Sequence, residues 1–199
     1  MKRGFVFPGQ GSQAVGMGRA LAEEFGEARA VFAAVDDALG QKLSQLMWDG
    51  PQSELTLTEN AQPALMAVSM AVVRVLGENG VKLSENAAYV AGHSLGEYSA
   101  LTATGALELE DAARLLKLRG QAMQRAVPVG VGAMAALLGL EFEAVVEVAE
   151  EAGQGEEICA AANDNAVGQV VVSGHAAAVA RAIDLAKERG AKRAMELPV

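Results

Sequence analysis

The order and period of the apolar residues predict an α/β protein built in two parts, and three observations carry that prediction. Helix-period apolar runs dominate residues 1–130, with two clear strand signals among them, at 4–7 and 87–91. The second strand signal leads into Gly92-His93-Ser94-Leu95-Gly96 and then into a helix start at Glu97, the strand–turn–helix setting of a nucleophile elbow. From residue 131 onward the segments change to the order β-α-β-β-α-β.

In the first part, Gly4-Phe5-Val6-Phe7 reads as a short buried strand and Pro8-Gly9-Gln10-Gly11-Ser12-Gln13 as a glycine-containing loop. Helices are expected at about 19–25 and 28–39, and Gly50-Pro51 marks a turn. Leu65, Val68, Val72, Val75 and Leu76 fall at helical spacing within 61–78. A further helix is expected over 110–125, with Leu115, Leu116, Leu118 and Met123 apolar. Two strands do not make a stable sheet under this much helix, so a larger parallel sheet with further strands is expected.

Pro128-Val129-Gly130 breaks the helical pattern and sets the expected boundary between parts at 1–130 and 131–199. In the second part, strands are expected at 132–138, at 158–162 (ended by Asn163-Asp164-Asn165), at 169–173 and over 192–199. Phe142, Val145, Val146 and Ala149 mark one helix; Val179, Ile183 and Ala186 mark another, stopped at Gly190. That order is the ferredoxin-like βαββαβ arrangement.

Composition narrows the function classes. Hydrophobic residues make up 51% of the 199, which argues against disorder, and a net charge of −9 argues against nucleic acid as a partner. Cys159 is the one cysteine, so neither a disulfide within this chain nor a cysteine metal cluster is expected. It reads as a buried small residue in a reducing compartment. Met1-Lys2-Arg3 is basic, but the apolar run after it stops at Pro8-Gly9, unlike a signal peptide. The charge-free stretch 64–73 is about half a membrane span. A soluble cytoplasmic protein is expected.

Ser94, at the apex of the elbow, is the candidate nucleophile, although the pattern alone also fits a plain tight turn. Such a serine needs an oxyanion hole and a general base. The backbone N–H of Leu95, directly after the nucleophile, is one natural donor; the second comes from a loop after another strand, which Gly9-Gln10-Gly11 fits, as it equally fits a simple strand-to-helix turn. The base is harder to place, because the chain has two histidines. His93 adjoins Ser94, where neighbouring side chains diverge, and reads as a structural hydrogen-bonding residue. His175 reads as a surface residue at a helix terminus. Arg119 is either a snorkelling surface arginine or a fork for a substrate carboxylate. Lys187, Arg189, Lys192 and Arg193 either offset a helix dipole or form a landing patch for an acidic partner.

Taken together, Phe7-Pro8-Gly9-Gln10-Gly11-Ser12-Gln13, Gln62-Pro63-Ala64, the run from Gly92 to Leu101, Arg119-Gly120 and Gly132-Ala133-Met134 resemble, in order and along the whole chain, the malonyl-CoA:acyl carrier protein transacylase family and the related acyltransferase domains of polyketide synthases. The resemblance implies an α/β-hydrolase-like large subdomain carrying an inserted ferredoxin-like one. It implies ping-pong transfer of a malonyl group from malonyl-CoA through Ser94 to the phosphopantetheine thiol of acyl carrier protein. Backbone N–H groups of Gln10 and Leu95 match the family's oxyanion hole, and Arg119 matches the arginine that holds the malonyl carboxylate. Leu95 at the variable motif position agrees with malonyl use. No cofactor and no metal are implied, malonyl-CoA being a substrate, and a monomer is expected. In this family the catalytic histidine follows a Leu-Pro-Val-like segment, and the present chain ends at Leu197-Pro198-Val199. The base and the later strands of the large subdomain are therefore expected beyond Val199, leaving this chain alone inactive. Two other readings remain at this point: a serine hydrolase that passes the acyl group to water, and an inert fragment that keeps only carrier or coenzyme A binding.

Overall fold

The computed structural model describes residues 3–128 and 130–197. It divides into two units, the first ending at Gln124 and the second beginning at Arg125. The division falls within the last turn of a helix, a few residues ahead of the Pro128–Gly130 break.

The first unit holds a two-stranded parallel sheet, β1 (Arg3–Phe7) beside β2 (Ala87–Gly92), in register Phe7 opposite Gly92. Between the strands run α1 (Arg19–Glu24), α2 (Gly26–Leu39), α3 (Leu43–Asp49), α4 (Gln52–Thr56), α5 (Thr58–Glu78) and α6 (Leu83–Asn86). After β2 come α7 (Gly96–Ala103) and α8 (Leu109–Ala126). The short helices α3, α4 and α6 carry too few apolar positions to show a period in the sequence.

β1 is not the buried strand its composition suggested. Its side chains alternate: Phe5 and Phe7 turn towards Leu83 and Ala100, whereas Val6 is 82% exposed. β2 behaves likewise, with Tyr89 75% exposed. An apolar tetrapeptide therefore serves here as a strand covered on one face only.

α5 is the central helix of this unit. Every residue from Asn60 to Ala67 is buried, as expected of a helix wrapped on all sides. Pro63 sits inside it and lacks the N–H that would bond the Glu59 carbonyl. Phe32, Leu43, Met47, Leu55, Met66, Leu95 and Leu116 fill the core around it, and Phe32 meets Trp48 edge-on at 5.8 Å between ring centroids. In α8 the inward face is Ala112, Ala113, Leu116 and Gly120, while Leu115, Leu118 and Met123 are exposed. The large residues that advertise this helix in the sequence mostly do not bury it. Three small residues and Leu116 do.

The second unit is a four-stranded antiparallel sheet covered by two helices. β3 (Gly132–Leu138), α9 (Phe142–Ala152), β4 (Cys159–Ala166), β5 (Gln169–His175), α10 (Ala176–Glu188) and β6 (Arg193–Leu197) follow in sequence. The spatial order is β4-β5-β3-β6. Ala133, Ala135 and Leu137 alternate into a core shared with Val145, Val148, Val170, Val172 and Val179. β4 runs through Asn163-Asp164-Asn165 instead of ending there. Asn163 and Asp164 pair with Val171 and Val170, and two register shifts step past Ala162 and Asn165 while pairing continues to Gln169. Pro198 and Val199, the end of the expected last strand and of the Leu-Pro-Val segment, lie outside the described residues, as does Val129 in the expected break.

Cys159 is buried, and that burial raises its thiol above the ordinary range, partly offset by the Ala160 backbone and the Arg181 charge. In the basic cluster, Lys187 bonds Asp184 at 3.1 Å, and Arg189 bridges Glu147 and Glu151. Half of the suggested landing patch is thus already neutralised by its own acids. Among the described residues, no helix is long and apolar enough to cross a membrane.

Candidate active site

The turn from β2 into α7 carries Ser94 at φ 54°, the one positive φ found at a non-glycine among the described residues. A side chain held there costs on the order of 1–3 kcal/mol and persists only where the surroundings enforce it. Three features enforce it here. The His93 N–H donates to the Phe7 carbonyl at 3.1 Å, tying the turn to the end of β1. The N–H groups of Gly96 and Glu97 donate to the carbonyls of His93 and Ser94 at 2.9 and 3.1 Å. Leu95, 1% exposed, anchors the turn in the core of the first unit.

The glycines of the motif are required by close approach. A Cβ on Gly92 would lie 1.9 Å from the carbonyl carbon of Gly96, and one on Gly96 would lie 2.4 Å from the Phe7 carbonyl oxygen. The chain folds back on itself too tightly for any side chain at either place. Ser94 is consequently exposed at the carboxyl end of the two parallel strands, where α/β sheets place ligands.

Gln10 lies in the loop after β1 and Leu95 at the start of α7, so both stand at the same ends of adjacent strands. Among the described residues, neither backbone N–H has an acceptor. The Gln10 side chain is held back from the turn, its Nε2 donating to Thr58 Oγ1 at 3.4 Å. At a helix N-terminus such free amides favour negative charge.

Arg119 reaches this turn from α8. One guanidinium nitrogen donates to Ser94 Oγ at 3.0 Å and another donates to Gln62 Oε1 at 2.6 Å. The snorkelling alternative is thereby set aside: the side chain is half-buried and points at the serine. Its neighbour Gly120 explains how α8 comes so near, since a Cβ there would lie 2.4 Å from Glu59 Cα. Lys117, two residues earlier, bonds Asn60 Oδ1 at 2.9 Å and Glu59 Oε2 at 3.5 Å. Asn60 in turn donates to the Glu54 carbonyl at 2.9 Å. A polar network thus fixes the first turn of α5 against α8.

Gln62 was visible in the sequence only as part of a motif. Its signal was an amide inside the apolar run of α5, and a helix buried on all sides gives such a residue nowhere to go but to a partner. His175 belongs to the second unit. It is half-buried, not a free surface residue: its Nδ1 accepts the Ile158 N–H at 2.9 Å, and its own N–H donates to the Ile158 carbonyl at 2.8 Å. Its ring closes the start of β4.

Comparison with known proteins bears on this arrangement. The model of the acyl transferase domain matches residues 4–198. The malonyl CoA-acyl carrier protein transacylase of Bacillus subtilis (strain 168) is 48% identical over 198 residues, covering 100% of this chain and 61% of that protein. The protein of the same name from Escherichia coli (strain K12) is 47% identical over 195 residues, covering 98% and 62%. The chain therefore spans about three-fifths of the length of these curated relatives. Among solved structures, an acyl-carrier-protein-S-malonyltransferase from Bartonella henselae superposes with TM-score 0.93 at 56% identity, covering 100% of this chain and 63% of that one. A malonyl-transacylase, solved in complex with a type II PKS acyl-carrier protein, gives TM-score 0.93 at 46% identity, with 100% and 63% covered. These structures share this chain's mixed α/β fold.

Proposed function

The chain belongs to the acyl transferase domain family, and from that premise we propose that Ser94 carries a malonyl group from malonyl-CoA to the phosphopantetheine thiol of acyl carrier protein. The observation that carries this reading is the guanidinium of Arg119 bonded to the oxygen of a serine held at positive φ. An always-charged fork beside a nucleophile suits an acyl group that ends in a carboxylate.

The first half-reaction forms a bond between Ser94 Oγ and the malonyl carbonyl carbon and breaks the carbon–sulfur bond of the thioester. The serine proton leaves and coenzyme A departs as its thiol. In the second half-reaction the carrier's thiol attacks the same carbonyl, and the serine oxygen leaves and regains a proton. Negative charge builds on the carbonyl oxygen in both steps, and the free N–H groups of Gln10 and Leu95 supply donors there without reorganisation. Arg119 engages the distal carboxylate. His175 is not assigned as the general base, because its Nδ1 already accepts the Ile158 N–H.

The fold fits the same reading. The parallel strands, the elbow and the helices around them correspond to part of an α/β-hydrolase-like subdomain. The β4-β5-β3-β6 sheet with two helices on it corresponds to the ferredoxin-like one. A monomer acting on a mobile carrier suits this division of labour.

Exposure of the natural protein to malonyl-CoA followed by peptide mass analysis tests the proposal. A malonyl adduct on the peptide containing Ser94 is the expected result, discharged onto added carrier thiol. An adduct on another residue, or release only as free malonate in the presence of carrier, would sink it; the second outcome identifies a hydrolase.

A further inference from the structure

Arg119, like Arg3 and Arg29, is held only by neutral oxygens among the described residues. Arg19, Lys82, Arg114, Lys117, Arg181, Lys187 and Arg189 each meet a carboxylate. Arg119 meets none among the described residues. Its two partners are neutral oxygens, Gln62 Oε1 and Ser94 Oγ. Gln62 is 0% exposed on α5. Its Nε2 donates to Met123 Sδ at 3.3 Å, and Met123 lies one helical turn beyond Arg119 on α8. A thioether accepts and does not donate, whereas a guanidinium donates and does not accept. The two neighbours therefore permit one orientation of the amide, with its oxygen on Arg119 and its nitrogen on Met123.

The geometry points to Gln62 as a positioning residue that aims Arg119 at Ser94 while leaving the guanidinium charge uncompensated, and so sets the preference for acyl groups bearing a carboxylate. This rests on the malonyl reading above. A carboxylate at position 62 would orient the same guanidinium equally well. It would also neutralise it, and an incoming anionic acyl group would then have to compete for the fork. An apolar residue of the same length would leave the charge but lose the aim. Both routes lower the preference for an anionic acyl group, by different physics.

The test measures acylation of the natural protein by malonyl-CoA and by acetyl-CoA in wild type, Gln62→Glu, Gln62→Met and Arg119→Ala. The ratio of the two rates is the readout, because a general folding defect lowers both and leaves the ratio alone. Losing one charge-assisted hydrogen bond predicts a fall of about tenfold or more in the malonyl-to-acetyl ratio for Gln62→Glu, expressed in the KM for malonyl-CoA. Gln62→Met should fall less, and Arg119→Ala at least as far. If the ratio collapses in Arg119→Ala but stays within about twofold of wild type in both Gln62 variants, the positioning role is wrong while the malonyl reading stands. If wild type shows no preference, or Arg119→Ala keeps it, the malonyl reading itself fails and takes this inference with it. Gln62→Met adds no charge to the interior, so it decides the matter should Gln62→Glu fail to fold.

Discussion

The two units differ in where they hold strain, and both pair most of their bonded cations with carboxylates. In the second unit the strands alternate cleanly into one core, and Arg181 and Arg189 meet carboxylates. Its most exposed apolar side chain, Val167, sits at the tip of a hairpin. The first unit exposes Val6 and Tyr89 along the middle of a two-stranded sheet, holds a serine at positive φ and leaves Arg119 without a carboxylate. An unfavourable backbone persists where its surroundings over-determine it, as buried Leu95 and the tight approaches at Gly92 and Gly96 do around Ser94.

That contrast can be broken or sharpened by mutation. The largest expected effect is on the second unit. Leu137→Ala empties a fully buried site and should cost about 2–5 kcal/mol. Hydrogen exchange should show β3, β5 and α10 losing protection, with labelling of Ser94 in the natural protein retained. Equal loss of protection around Ser94 would mean that the units do not behave as separate cores. Next comes Gly92→Ala, whose new Cβ must displace the Gly96 backbone. About 1–3 kcal/mol is expected, concentrated in the amides of β2 and α7, together with loss of Ser94 acylation. A variant that acylates normally would show that the tight turn is not required.

A smaller effect of the opposite sign is expected for Ser94→Gly. Removing the side chain at φ 54° relieves backbone strain, and stability measured by thermal unfolding should rise by about 1 kcal/mol while acylation disappears. No gain would mean that the turn carries little strain. The smallest is Arg189→Ala. Its ion pairs with Glu147 and Glu151 are partly exposed, so a loss of about 0.2–1 kcal/mol, shrinking with added salt, is expected from urea titration. A larger loss would make charge pairing, and not the alternating core, the chief support of that unit.

Local pattern was enough for much of this molecule. The run of apolar residues before Gly92-His93-Ser94-Leu95-Gly96 announced the elbow, and the period of 132–138 matched β3 residue for residue. It misled where polarity and pairing disagree. Asn163-Asp164-Asn165 looked like a strand end, yet β5 continues to pair through it because bulges absorb the mismatch. Of the apolar residues that marked α8, Leu116 is buried but Leu115, Leu118 and Met123 are exposed, and Ala112, Ala113 and Gly120 complete the inner face. A period names a stripe, and the neighbouring helix decides how closely it approaches.

The sequence by itself determined the strand–turn–helix setting of Ser94 and the order of elements in the second unit, because each is written in a short stretch of chain. Only the tertiary structure decided that Arg119 touches Ser94 across 25 residues and Gln62 across 57. Such contacts depend on how two helices cross, and that crossing is set by the missing side chain at Gly120, whose meaning no local pattern contains.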